Sequence, residues 1–335
     1  MTSPRAICVG EGLAVLVAEP GPLENSDSFT RSAGGAEANV ARVLAQLGVS
    51  SSWISRVGND GFGRYLLTQL DRAGVDVSAV VLDDTRPTGM YVKQRGGGTG
   101  ADWDLPDGDS RMTYFRTGSA ASALSPDDVD EGAARDLIRS AEVVHFSGIT
   151  VALSESAEQM TRSLLACGTT VSFDLNYRPA LWANRIEDAP RVLADHVRGS
   201  DVVLMGADEA RVVFGIDDPA ELRAKFPEPR HLVVKNDAHV VTAFDGDVRV
   251  DVPALRLAVL ERIGAGDAFA GGFLGGLLNG ASPVERVRLG HLCAAGALTA
   301  HGDVASILDS SSLLSAVRLS DNDWRSVDYG ELVGS

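Results

Sequence analysis

The chain has 335 residues, 44% of them hydrophobic, which suffices to bury the core of one large domain spanning residues 1–335. A formal net charge of −16 argues against nucleic acid or an anionic membrane as a partner, because both need basic surface. Three cysteines, Cys8, Cys167 and Cys293, lie far apart without metal or redox spacing, and no signal segment precedes the first strand, so a soluble cytoplasmic protein is expected.

Ala6 to Gly10 is an apolar β-type run, and Gly12 to Ala18 reads as a second strand. Two glycines, Gly34 and Gly35, then open a helix over Ala36 to Leu47 that stops at Gly48. A glycine-rich turn around Gly58 to Gly63 leads into a helix over Arg64 to Ala73. Gly89 to Arg95 alternates at period two, glycines at 96 to 98 break it, and Arg111 to Arg116 resumes it. This predicts a hairpin with a long mobile loop, with Tyr91, Lys93 and Arg95 on one face and Tyr114 and Arg116 sharing a face of the partner strand.

From residue 143 onward strands and helices alternate. Strands are predicted at Val143–Phe146, Thr170–Asp174, Val202–Met205, Leu232–Lys235, Val240–Phe244, Val248–Val252 and Leu255–Leu260. Helices are predicted at Ser154–Cys167, Ala189–Gly199, Asp208–Gly215, Pro219–Phe226, Ala268–Leu278 and Gly290–Ala300, with a frayed tail over Glu331 to Ser335. The alternation implies an α/β fold whose mostly parallel central sheet carries helices on both faces, with a site at the strand carboxyl ends.

Gly264-Ala265-Gly266-Asp267 is the sharpest chemical signal. A glycine-rich turn feeding a helix leaves amides pointing at one place with the helix dipole behind them, which makes an anion site. Asp267 at that helix start is either an N-terminal cap or a base beside the anion hole. The six histidines show no paired spacing, and no metal-ligand set is expected from the protein.

These four residues resemble the second signature of the PfkB/ribokinase-like carbohydrate kinases, Asp-Thr-x-Gly-Ala-Gly-Asp, with Glu261 and Arg262 in place of the usual Asp and Thr. The resemblance implies a ribokinase-like fold with Asp267 as base and Gly264, Ala265 and Gly266 as anion hole. The departure at Glu261 and Arg262 weakens the expectation of potassium activation. Gly34-Gly35-x-x-x-Asn39-Val40-Ala41 resembles the first signature, implying that both glycines and Asn39 meet the substrate. Val15 stands where relatives place a sugar-binding Asp, which speaks against a furanose held by two ring hydroxyls.

The branch most like this chain is the 2-keto-3-deoxygluconate kinases. Its pattern is met by Tyr91, by Tyr114-Phe115-Arg116 before Gly118-Ser119-Ala120, and by Asp174-Leu175-Asn176-Tyr177-Arg178. Arg116 and Arg178 would offer forks for a carboxylate, with the tyrosines as hydroxyl donors. Glu209 matches the acidic residue that orders magnesium-bound water, although Gly206 replaces the usual Asn, and Lys235 begins an atypical nucleotide turn. Ala295 and Gly302 correspond to the adenine-holding helix and loop.

The resemblance implies ATP and magnesium as cofactors and a small sheet, built by strands at about 12–33 and 88–117, that covers the sugar as a lid and serves a homo-oligomer. A kinase for a neutral sugar such as fructose, or a non-catalytic binding protein of the same fold, are the alternatives.

Overall fold

The computed structural model describes residues 4–236, 239–299 and 308–334. The described strands are β1 (Ala6–Val9), β2 (Leu13–Pro20), β3 (Phe29–Gly34), β4 (Ser51–Ile54), β5 (Arg56–Gly58), β6 (Val81–Asp83), β7 (Met90–Arg95), β8 (Ser110–Phe115), β9 (Val143–Ser147), β10 (Thr170–Asp174), β11 (Val202–Gly206), β12 (His231–Asn236), β13 (Val240–Asp245) and β14 (Val248–Pro253).

The main sheet runs β14-β13-β12-β11-β10-β9-β1-β4. From β12 to β4 every pairing is parallel, and β13 and β14 add antiparallel strands at one edge. Strands β1, β9 and β11 are buried at every position, as expected for strands covered on both faces. Alternate residues feed two cores: Ile7 and Val9 pack with Phe146, Phe173 and Leu193, whereas Ala6 and Cys8 pack with Trp53, Leu44 and Phe273.

The helix Ala265–Leu278 is buried from Ala268 to Gly276 and is wedged between the helices Ala36–Gln46 and Pro283–Leu298. A Cβ added at Gly272 would lie 2.6 Å from the Leu289 carbonyl oxygen, so glycine allows the close approach that fixes this helix.

A separate four-stranded sheet, β3-β2-β7-β8, stands over the carboxyl ends of the main strands. Its hairpins β2–β3 and β7–β8 are antiparallel, and β2 and β7 join them in parallel. Register places Val15 beside Tyr91 and Tyr91 beside Tyr114. Asp60 ties the base of this sheet to the helix Gly61–Arg72: its carboxylate accepts from the Phe62, Gly63 and Thr88 amides.

Four sequence expectations are corrected. Leu255–Leu260 is not a strand: past Pro253 only an isolated bridge from Arg256 to Asp328 forms, and the amides of Leu260 and Glu261 turn instead to the Leu298 carbonyl. The connection between β7 and β8 is tied down, because the Asp104 carboxylate accepts from the Thr99 hydroxyl and the Gly97 and Thr99 amides. The helix expected from Gly290 begins at Pro283, where Ser282 and Glu285 cap each other's backbone amides. The tail forms a helix over Tyr329–Gly334, anchored by buried Tyr329, whose amide donates to the Arg256 carbonyl; Ser335 lies outside the described residues. No described helix is long and apolar enough to cross a membrane.

Candidate active site

A cavity of about 340 Å³ opens between the carboxyl ends of the parallel strands and the small sheet. Gly35, at φ +125°, starts the helix Ala36–Gln46, and a Cβ there would lie 2.4 Å from the Glu11 carbonyl oxygen. One turn on, buried Asn39 donates through Nδ2 to Asp267 Oδ2 at 2.9 Å. Asp267 sits in the first turn of Ala265–Leu278, which Gly264 opens in the left-handed conformation at φ +80°.

No side chain caps that helix, so its first amides stay available to an anion. Burial pushes the Asp267 carboxyl up to about 7; the Asn39 hydrogen bond opposes this, the charges of Asp174 and Glu37 reinforce it, and Arg178 offsets it. A carboxylate poised near neutrality beside a preformed anion site is suited to accept a proton.

A chain of charges runs along the strand ends. Lys235 Nζ lies 3.0 Å from Asp174 Oδ2, and 3.9 Å from where a Cβ on Gly266 would stand, which puts its ammonium beside the anion turn. Burial works to lower the Lys235 pKa, but Asp174 and Glu209 outweigh it and the ammonium is held charged. Glu209 accepts from the Gly206 amide at 3.1 Å and pairs with Arg178 Nη1 at 3.2 Å. It is therefore a helix-start cap and a cavity carboxylate at once, with burial and then Asp174 raising its pKa.

The small sheet supplies the opposite wall. Tyr91 and Tyr114 pack with ring centroids 5.3 Å apart, and the Arg116 guanidinium lies 5.3 Å from the Tyr114 ring. Arg116 also pairs with buried Glu11, which in turn accepts from the Ser119 hydroxyl at 3.4 Å. Burial raises the Glu11 pKa and Arg116 opposes it. Asn39 Oδ1, Asn176 Oδ1 and Arg116 Nε are buried without a hydrogen-bond partner among the described residues. All three residues line the cavity.

Of the residues selected from sequence, Gly35, Asn39, Tyr91, Tyr114, Arg116, Arg178, Glu209, Lys235, Gly264, Gly266 and Asp267 line the cavity. Gly34 ends β3 and Ala265 starts the helix after Gly264, but neither is part of the lining. Ala295 does not reach the cavity either: it is buried in the core, inside the helix Pro283–Leu298. Gly302 lies outside the described residues, as do Asp237 and Ala238 of the nucleotide turn and Ala300 to Asp303. Val15 is buried between Leu13 and Tyr91, and Leu13 faces the cavity in its stead.

Sequence reading passed over Glu11, Asp174 and Asn176 as site residues. Asp174 and Asn176 sat inside the quoted Asp-x-Asn-Tyr-Arg turn, where Asn176 takes φ +34° and its amide donates to Asp174 Oδ1 at 3.1 Å. Glu11 directly follows the first strand and Gly10, a position with no periodic signal. His145 and His291 are buried packing residues with pKa values lowered to about 4 by burial. Among the described residues no group of three His, Cys, Asp or Glu side chains is arranged to hold a metal.

Residues 5–310 match the family model described as pfkB family carbohydrate kinase. The chain is 37% identical over 301 residues to 2-dehydro-3-deoxygluconokinase of Thermoproteus tenax, covering 89% of each chain. It is 32% identical over 325 residues to the protein of the same name from Bacillus subtilis, covering 92% of this chain and 94% of that one. Among solved structures, the sugar kinase PH1459 of Pyrococcus horikoshii in complex with ATP superposes with a TM-score of 0.77 at 26% identity, over 92% of this chain and 97% of that one. With the family model spanning nearly the whole sequence and this ribokinase-like α/β architecture beneath it, the chain belongs to the pfkB family of carbohydrate kinases, which are phosphotransferases.

Proposed function

We propose that the chain transfers the γ-phosphoryl group of ATP to the terminal hydroxyl of a sugar acid, 2-keto-3-deoxygluconate (equivalently 2-dehydro-3-deoxygluconate) being the substrate that fits best. The observation that carries this reading is the pair of arginines, Arg116 and Arg178, opening on the same cavity as Asp267. Arg116 already pairs with Glu11 and Arg178 with Glu209, but each guanidinium keeps further N–H donors, and a substrate carboxylate takes charge-assisted fork-shaped hydrogen bonds from these that a neutral sugar cannot. The names of the two curated relatives support the substrate class, and the ATP-bound structural neighbour supports the nucleotide.

In this reading Asp267, oriented by Asn39, takes the proton of the attacking hydroxyl. The new O–P bond forms as the bond from the γ-phosphorus to its bridging oxygen breaks, and ADP departs. The amides from Gly264 to Asp267 and the Lys235 ammonium take up charge on the phosphoryl oxygens. Asp174 and Glu209 offer carboxylate oxygens facing the cavity that can accept hydrogen bonds from magnesium-bound water, while magnesium carried on the nucleotide would neutralise phosphate charge. The small sheet, carrying Tyr91, Tyr114 and Arg116, acts as the lid. Its exposed Phe29 and Phe115 are where a second copy would pack.

Phosphorus NMR of a reaction with ATP, magnesium and 2-keto-3-deoxygluconate tests the reading: a phosphomonoester on C6 is expected, and inorganic phosphate alone would contradict it. Because Glu261 is already engaged by Lys93, Ser110 and the Arg262 amide, the rate is expected to be the same in potassium and in tetramethylammonium chloride.

The base must be ionised to act, and its folded pKa is raised to about 7. Activity is therefore expected to be present above that value and to fall as pH drops through it, with a slope of one on the acid limb of log kcat/KM. A profile flat from the ordinary carboxylate range up to neutrality would contradict the assignment of Asp267.

A further inference from the structure

Lys93 and Glu261 form an ion pair that the cavity does not use. Lys93 Nζ lies 2.5 Å from Glu261 Oε2, the two side chains are 2% and 9% exposed, and neither lines the cavity. Lys93 belongs to β7, two residues along the same strand face from Tyr91. Ser110, which opens β8, adds a hydroxyl 3.3 Å from the same carboxylate oxygen. On the other side, Glu261 Oε1 accepts from the Arg262 amide at 3.2 Å, and the Leu260 and Glu261 amides both hold the Leu298 carbonyl. The carboxylate thus joins the small sheet to the strand of chain that runs through Arg262 and Ile263 into the Gly264 turn.

A buried pair contributes little net stability, since desolvation offsets its attraction, but breaking one side leaves a buried charge unpaired. Such a pair serves better to fix one arrangement than to strengthen the fold. Glu261 is fixed to the small sheet by its side chain and to the anion turn by its backbone, so a shift of the sheet is passed to the turn.

We propose that Lys93 and Glu261 are positioning residues that set the Gly264–Asp267 turn in register with the strand carrying Tyr91, so that phosphoryl transfer is aligned when the small sheet is seated on substrate. The assignment rests on the reading of that turn as the phosphoryl-transfer site, and its test includes a readout that needs no substrate.

Single variants leave a lone buried charge and are expected to lose stability, so the informative protein is the double variant Lys93→Met/Glu261→Met, which keeps the buried volume without either charge. Its melting temperature is expected to stay close to that of the wild type. Amide hydrogen exchange over residues 260–267 is expected to accelerate by about tenfold or more while the main sheet is unchanged. On whichever sugar the wild type phosphorylates best, kcat is expected to fall by roughly tenfold with KM within about threefold, because misplacement of the turn costs alignment rather than binding. The charge-exchanged variant Lys93→Glu/Glu261→Lys is expected to recover kcat relative to the double methionine. Exchange over 260–267 unchanged in the double methionine variant would overturn the proposal even if the substrate assignment were wrong. A loss confined to KM would overturn it equally.

Discussion

Asp267→Asn is expected to lower kcat by about 10²–10⁴-fold, the usual worth of a positioned general base, while the fold and ATP binding persist. Asparagine is isosteric, accepts the Asn39 amide through its own oxygen, and leaves the Gly264 turn intact, so only proton acceptance is removed. The same variant carries a second, opposite signature. The Asp267 carboxyl is raised from 3.8 to about 7, so its contribution to stability is fully present below the unfolded value and lost as pH rises through the folded one. At pH 8 the ionised side chain therefore destabilises the wild type, by up to roughly 4 kcal/mol from the linkage relation. Asp267→Asn is expected to melt higher than wild type at pH 8, with the gain shrinking towards pH 4. Calorimetry at the two pH values with steady-state rates at pH 8 checks both halves. A variant with near wild-type kcat would sink the base assignment, and one that melts lower at pH 8 would sink the account of its environment.

The second large effect is expected at the arginines. Arg178 is half exposed and its partner Glu209 stays capped on the Gly206 amide, so Arg178→Met should fold normally. Losing a charge-assisted fork of about 1.5–3 kcal/mol is expected to lower kcat/KM on 2-keto-3-deoxygluconate by roughly 10–100-fold. Arg116 needs more care, because its removal strands the buried Glu11 carboxylate. Arg116→Met combined with Glu11→Gln removes both charges and is expected to fold, with a loss on the sugar acid of the same order. Neither variant is expected to change the KM for ATP. Equal losses on the sugar acid and on a neutral sugar would show that the arginines shape the cavity and do not read a carboxylate.

Legibility in the sequence followed the range of the physics involved. The Gly264–Asp267 and Gly35–Asn39 stretches could be read because their chemistry is local: a glycine where the backbone turns, free amides at a helix start, and a polar side chain one turn on. The parallel sheet could be read because strands buried on both faces leave unbroken apolar runs. What could not be read were the partners. The Asn39 and Asp267 side chains meet across 228 residues, Arg116 and Glu11 across 105, and no pattern along the chain records such contacts. Leu255–Leu260 shows the same limit from the other side. Its apolar residues look strand-like, but a strand also requires a neighbour, and past Pro253 the chain has left the sheet. Ala295 lies on a helix the sequence predicts, and the packing of that helix against Ala265–Leu278 and the edge of the sheet, which no local pattern records, buries it.

The measurement that bears most directly on the sugar-acid assignment is the initial rate of ADP release with ATP and magnesium, compared across 2-keto-3-deoxygluconate, fructose and ribose at equal concentration. Turnover on the keto acid, with little on either neutral sugar, is the predicted result. Preferred turnover on fructose or ribose would contradict it, and would leave Arg116 and Arg178 without the carboxylate assigned to them.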